Sequence, residues 1–176
     1  MKHCILSIWA GAFRIPASFM WVFLAATAHA QPGPGFALRF NDTSSYVAMP
    51  HTAGLNAFPL TVMAWVNTSQ ATGQQGLVNK YMASSLNGWN LLLRDGHVRA
   101  WYFVNNTRFV WDGSNGLDGG SVADGAWHHV AFTVDASGGK LYVDGVLRTS
   151  RAWTGTSGAT TPHNWAGTTC WLAPTN

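Results

Sequence analysis

Residues 123–145 read Ala-Asp-Gly-Ala-Trp-His-His-Val-Ala-Phe-Thr-Val-Asp-Ala-Ser-Gly-Gly-Lys-Leu-Tyr-Val-Asp-Gly, and this stretch constrains the fold more than any other. An Asp-Gly pair launches a strand of alternating character from Trp127 to Val134. A polar connection over Asp135 to Gly139 reverses the chain, and Lys140 to Val143 returns it into a second Asp-Gly turn. Side chains alternate between the two faces of a strand. Val130, Phe132 and Val134 therefore share one face, and Trp127, His129, Ala131 and Thr133 the other. A chain built around such a hairpin needs a sheet on which to lay its apolar face.

The rest of the chain supplies candidate strands. Short apolar–polar alternations recur at Phe36–Phe40, Tyr46–Met49, Leu60–Asn67, Gly76–Lys80, Trp89–Arg94, Val98–Val104, Arg108–Trp111 and Val146–Thr149. Turn clusters such as Asp95-Gly96 and Asp112-Gly-Ser-Asn-Gly116 punctuate them. Regular short strands with no helical period predict an all-β sandwich or barrel.

The first thirty residues read as a separate object, a secretory signal peptide. Lys2 and Arg14 precede an apolar run, Ile15 to Ala28, that ends in the small-x-small triplet Ala28-His29-Ala30. Pro16 interrupts the run, and its length is short for a membrane anchor. Residues 31–35 form a Pro/Gly linker, and one domain follows. This predicts a secreted, cell-surface or periplasmic protein with no membrane insertion after cleavage. Lys2 and Arg14 account for two of the ten basic residues, so eight remain against seven aspartates. No basic run exists, which argues against nucleic acid as a partner. Cys170 becomes the lone cysteine of the processed chain and has no internal disulfide partner.

Five segments in order resemble one family. Phe36-Ala-Leu-Arg-Phe-Asn-Asp-Thr-Ser-Ser-Tyr-Val, Phe58-Pro-Leu-Thr-Val-Met-Ala-Trp-Val66, Leu77-Val-Asn-Lys80 and Gly88-Trp-Asn-Leu precede the Asp-Gly-Ala-Trp-His-His-Val-Ala hairpin. Together they resemble the laminin-G-like, concanavalin-A-like lectin-glucanase domains, which are related to pentraxins. The resemblance implies a two-sheet antiparallel jelly-roll sandwich over residues 36–160. Beyond the Val143-Asp-Gly hairpin it stops, because the family's closing strands have no counterpart. Residues 161–176 show no strand signal and predict an atypical tail, frameshifted or truncated, the alternative being a divergent C-terminus that still pairs in the sheet. A sandwich without closing strands exposes backbone beside its opening strand, an open sheet edge suited to a protein partner.

Catalysis finds little support in the residues. The chain contains no glutamate, whereas glycoside hydrolysis needs two carboxyl groups. His128 and His129 point to opposite faces of a strand and cannot chelate one ion together. No Gly-x-Ser-x-Gly elbow accompanies them, and the remaining histidines lack zinc-ligand spacing. Related domains often hold one Ca²⁺ at a loop rim, and the resemblance makes Asp42 the candidate ligand for a single structural Ca²⁺.

Sugar recognition fits the composition better. Aromatic rings stack on pyranose faces while amides and charged groups bond hydroxyls. Trp89, Trp101, Tyr102, Asn105, Arg108 and Trp111 bring both types together and form the candidate ligand set, whereas Trp65 and Trp127 are expected in the core. The reading is a non-enzymatic recognition module that binds carbohydrate or an extracellular glycoconjugate. A structural or adhesion spacer contacting protein is the alternative, and a polysaccharide hydrolase or lyase comes third.

Overall fold

A computed structural model describes residues 2–8, 37–40, 45–82, 87–104, 107–109, 116–152 and 170–172. Two antiparallel sheets face one another across a single apolar core, as a jelly-roll sandwich requires. The first sheet runs β12 (Val146–Arg151), β11 (Gly138–Val143), β10 (Trp127–Asp135), β4 (Leu60–Asn67), β1 (Lys2–Ile8) and β2 (Leu38–Phe40). The second runs β3 (Val47–Met49), β13 (Cys170–Leu172), β5 (Gln74–Met82), β6 (Asn87–Arg94), β7 (His97–Val104) and β8 (Thr107–Phe109), and β9 (Leu117–Ser121) also pairs with β7.

Strand parity decides what enters the core. Val62, Ala64 and Val66 of β4 and Val130, Phe132 and Val134 of β10 are buried from the first sheet. Val78 of β5, Leu91 and Leu93 of β6, and Val98 and Ala100 of β7 meet them from the second. Full burial of each such valine, leucine or phenylalanine contributes about 1.5–3 kcal/mol against the entropy of ordering the chain. The hairpin face foreseen from alternation is thus the face that packs.

Turn chemistry sets the register. Asp95-Gly96 and Asp144-Gly145 each join strands through two residues of positive φ (51° and 76°, 54° and 76°). That conformation matches the right-handed twist of the flanking strands. The β10–β11 connection is tighter than the five residues expected. Asp135 pairs with Gly138, leaving Ala136 and Ser137 as the turn. Asp135 Oδ1 accepts the Ser137 N–H at 2.7 Å, so the side chain itself closes the reversal.

Two segments depart from expectation. The tail supplies a strand after all: Trp171 of β13 lies opposite Ala48 of β3 on one side and Asn79 of β5 on the other. The place beside the opening strand β2, expected to be bare, is taken by Lys2–Ile8 from the expected leader. These seven residues include Cys4, Leu6 and Ile8 at alternate positions, a strand pattern hidden in a segment read as a signal sequence. The linker 31–35 and most of the tail lie outside the described residues, and no helix among the described residues is long and apolar enough to cross a membrane.

Candidate functional site

The outward face of the first sheet carries an aromatic patch. On β4, Trp65 alternates with core-facing Ala64 and Val66; on β10, Trp127 and His129 alternate with Val130. Trp127 is registered opposite Asn67 and His129 opposite Trp65. Trp65 and Trp127 are therefore diagonal neighbours on one face, roughly 7–8 Å apart by sheet geometry. They are 44% and 43% exposed. The Trp65 and His129 rings meet at 5.3 Å between centroids, tilted by 57°.

Polar contacts hold the rim of this patch. Asn67 Nδ2 donates to the Gly125 carbonyl at 2.7 Å, and the Gly125 N–H donates to the Thr68 carbonyl at 2.9 Å. These bonds tie the turn before β10 to the end of β4. His128 is gripped from two sides, with Nδ1 2.8 Å from Asp144 Oδ2 and Nε2 3.1 Å from Asp124 Oδ1. Both ring nitrogens donate when the imidazole is protonated. The Asp144 bond, more than the opposing effect of burial and with Asp124 adding to it, therefore raises the His128 pKa above the usual histidine value. Asp124 is lowered, chiefly by the Ala126 N–H and then by His128. Burial works against ionisation of Asp144, but the bonds from His128 and the His129 N–H outweigh it and lower its pKa. His129 N–H donates to Asp144 Oδ1 at 2.9 Å, and the Asp144 N–H returns a bond to the His129 carbonyl at 2.8 Å. The paired histidines thus divide their labour: His128 clamps the hairpin and His129 joins the surface.

The expected ligand residues are scattered. Trp89 and Tyr102 are corrections. They are 1% and 0% exposed within the inter-sheet core, because they share parity with Leu91 and Ala100. Burial accordingly raises the Tyr102 phenol. Trp101 lies on the opposite face of the second sheet, in a separate cluster with Leu92 and Phe103, against which Tyr81 packs at 5.9 Å from Trp101 and 5.8 Å from Phe103. Asn79, Asn90 and Trp101 stand in register across β5, β6 and β7. Asn79 Nδ2 and Asn90 Oδ1 are buried with no hydrogen-bond partner among the described residues. Trp101 is only 8% exposed, so this face does not present an open stacking surface. The Arg108 backbone pairs with Phe103, but its side chain, like Asn105, Trp111 and the expected calcium ligand Asp42, lies outside the described residues. Among the described residues no group of three or more His, Cys, Asp or Glu is placed to hold a metal ion.

Trp65 and Trp127, expected in the core, are the second correction. Both indoles are out of phase with the core-facing valines on their own strands. Alternation alone marks them as surface residues, and their alternating apolar neighbours are what mislead.

A family model described as the concanavalin A-like lectin/glucanases superfamily matches residues 41–175, a span that takes in β13 as well as the hairpin. No curated protein matches the chain. The match covers most of the sequence and agrees with the two-sheet architecture and with the ordered motifs from Phe58-Pro-Leu-Thr-Val to Val143-Asp-Gly. The chain belongs to the concanavalin A-like lectin/glucanase superfamily.

Proposed function

We propose that this chain is an exported, non-catalytic recognition module that binds carbohydrate on the outward face of its first sheet. Domains of this superfamily are generally carbohydrate- or protein-binding modules, and some members are glycosidases. One observation carries the reading: Trp65 and Trp127, both nearly half exposed, lie diagonally on one outward face beside His129. Large exposed aromatics beside polar groups mark interaction surfaces, and indole faces suit the apolar side of a pyranose. The sequence contains no glutamate, and the described aspartates are committed elsewhere. Asp124 and Asp144 hold His128, Asp118 meets His97 and Arg99, Asp135 closes its turn, and Asp95 accepts the Gly73 N–H. The leader-like run before Ala28-His29-Ala30 supports export.

The test is affinity electrophoresis against a panel of neutral and acidic polysaccharides, followed by titration calorimetry on any that retard the protein. Trp65→Ala and Trp127→Ala should each weaken binding at least tenfold, about 1.4 kcal/mol, with an unchanged unfolding midpoint. Retention of full affinity in both variants refutes the assignment to this face. A wild-type protein that binds no glycan yet retains a protein partner through the same tryptophans favours the adhesion reading. Repeating the titration with and without Ca²⁺ examines the proposed ion at Asp42: stabilisation that Asp42→Asn abolishes supports it.

A further inference from the structure

β1 is unlike the other strands of the first sheet. It occupies an interior position, paired from His3–Asn67 to Ile8–Val62 with β4 and from Lys2–Phe40 to Cys4–Leu38 with β2. No short turn ties it to either neighbour, since residues 9–37 separate it from β2 in sequence. Among the described residues β2 has no other strand partner. Removing β1 leaves the β4 backbone unpaired along its β1-facing edge from Val62 to Asn67, and frees β2 to move as a flap. Buried backbone groups stripped of partners are costly, so such a gap demands another strand.

We propose that the β1 position is an exchangeable strand-acceptor slot. Lys2–Ile8 fills it in the intact chain, and once the leader is removed an extended segment of a partner protein, apolar at alternate positions, enters in its place. The proposal rests on the export reading above, because a cleaved leader cannot remain the interior strand of the processed sheet. The occupant's chemistry follows from the resident strand. Cys4, Leu6 and Ile8 are registered opposite Val66, Ala64 and Val62, the core-facing residues of β4. A replacement needs small or aliphatic residues at those three positions and free backbone on both edges, as strand addition between two neighbours requires. The slot runs beside Trp65, whose register partner is Ile5, so an incoming strand would border the proposed glycan face.

Disulfide trapping at one register pair tests this. Directly opposed residues in an antiparallel pair lie about 4.5–5.5 Å apart at Cα, within disulfide range. The protein carries Val66→Cys with Cys170→Ser, and the probe is a peptide of residues 1–9 whose Cys4 is activated as a mixed disulfide with thionitrobenzoate. Each trapped strand then releases one thionitrobenzoate anion. Processed protein recovered from an exporting host should capture the peptide at position 66, and a Tyr142→Cys control on β11 should not. The full-length chain should instead form an internal disulfide between Cys4 and the thiol introduced at position 66 on mild oxidation, and exclude the peptide. Processed protein that is folded but captures no peptide overturns the slot while leaving export intact. Exported protein that retains residues 2–8 overturns both export processing and strand exchange. Capture equal at positions 66 and 142 also overturns the proposal, since it shows no register.

Discussion

Replacing Asp144 by asparagine isolates the charge in the clamp that closes the β10–β11–β12 corner. Asparagine keeps the size of the side chain and tolerates the left-handed backbone at this position, where φ is 54°. An amide oxygen can still accept the His129 N–H that Asp144 Oδ1 now receives at 2.9 Å. What disappears is the carboxylate 2.8 Å from His128 Nδ1. Coulomb attraction at this kind of separation spans about 1 kcal/mol in water to about 4 kcal/mol near a protein surface. The Asp144 side chain is 44% exposed and His128 17%, so solvent screening puts the loss at the low end, about 1 kcal/mol. The sign with pH follows from His128. Its pKa is raised in the folded state, so its contribution is complete below the unfolded value of about 6.5 and fades as pH rises through the folded one. The lowered Asp144 pKa sets the other limit: its contribution fades once pH falls below the ordinary aspartate range. Urea unfolding followed by tryptophan fluorescence should therefore show the Asp144→Asn penalty at about pH 5.5 and little of it at about pH 9. Asp144→Ala also loses the acceptor for His129 and strains the turn, and should cost about 2 kcal/mol with a part that persists at high pH. A penalty for Asp144→Asn that is equal at both pH values, or larger at the higher one, refutes the clamp.

Three further substitutions read the packing. Gly88→Ala places a Cβ 1.8 Å from the Lys80 carbonyl oxygen at a φ of +110°, whereas Gly125→Ala, at a φ of +82°, meets nothing within 4 Å. The first should leave little soluble folded protein, and the second should cost about 1 kcal/mol in the same urea assay. Phe132→Ala empties a fully buried site between the sheets and should cost about 3–5 kcal/mol.

Alternation proved the most legible signal in the chain. The strand Leu60–Asn67 begins and ends where its pattern does, Trp127–Asp135 runs one residue past its own, and Val130, Phe132 and Val134 are buried as their parity requires. The same rule, applied to tryptophan, places Trp65 and Trp127 outside and Trp89 inside. Apolar neighbours argue the first two inward and the search for a stacking surface argues Trp89 outward, and parity overrules both. Tyr102 was legible in the same way, since it is in phase with Val98 and Ala100. Strand β13 was not, because three residues are too few to display a period, and its position depends on the backbone groups that β3 and β5 offer from either side. The His128 clamp also lacks a local signature. Its acids are Asp124, four residues before it, and Asp144, sixteen after, and only the hairpin register brings them to one imidazole.

The place of β13 has a kinetic consequence. Strand β3 ends at Met49 and its neighbour in the sheet begins at Cys170, so the second sheet stays unfinished until nearly all of the described chain has been synthesised. At ribosomal rates of about 5–20 residues per second the delay is on the order of ten seconds. Through that interval the nascent chain holds an unclosed edge, and final closure is set by a contact of high sequence separation, which is slow even after release. Under the proposed export the lag would be useful, because it would keep the domain threadable while it passed through a translocation pore. The same lag exposes apolar strand edges in every copy still in transit, so the rate of synthesis and the supply of holding chaperones would govern yield more than the stability of the finished sandwich does.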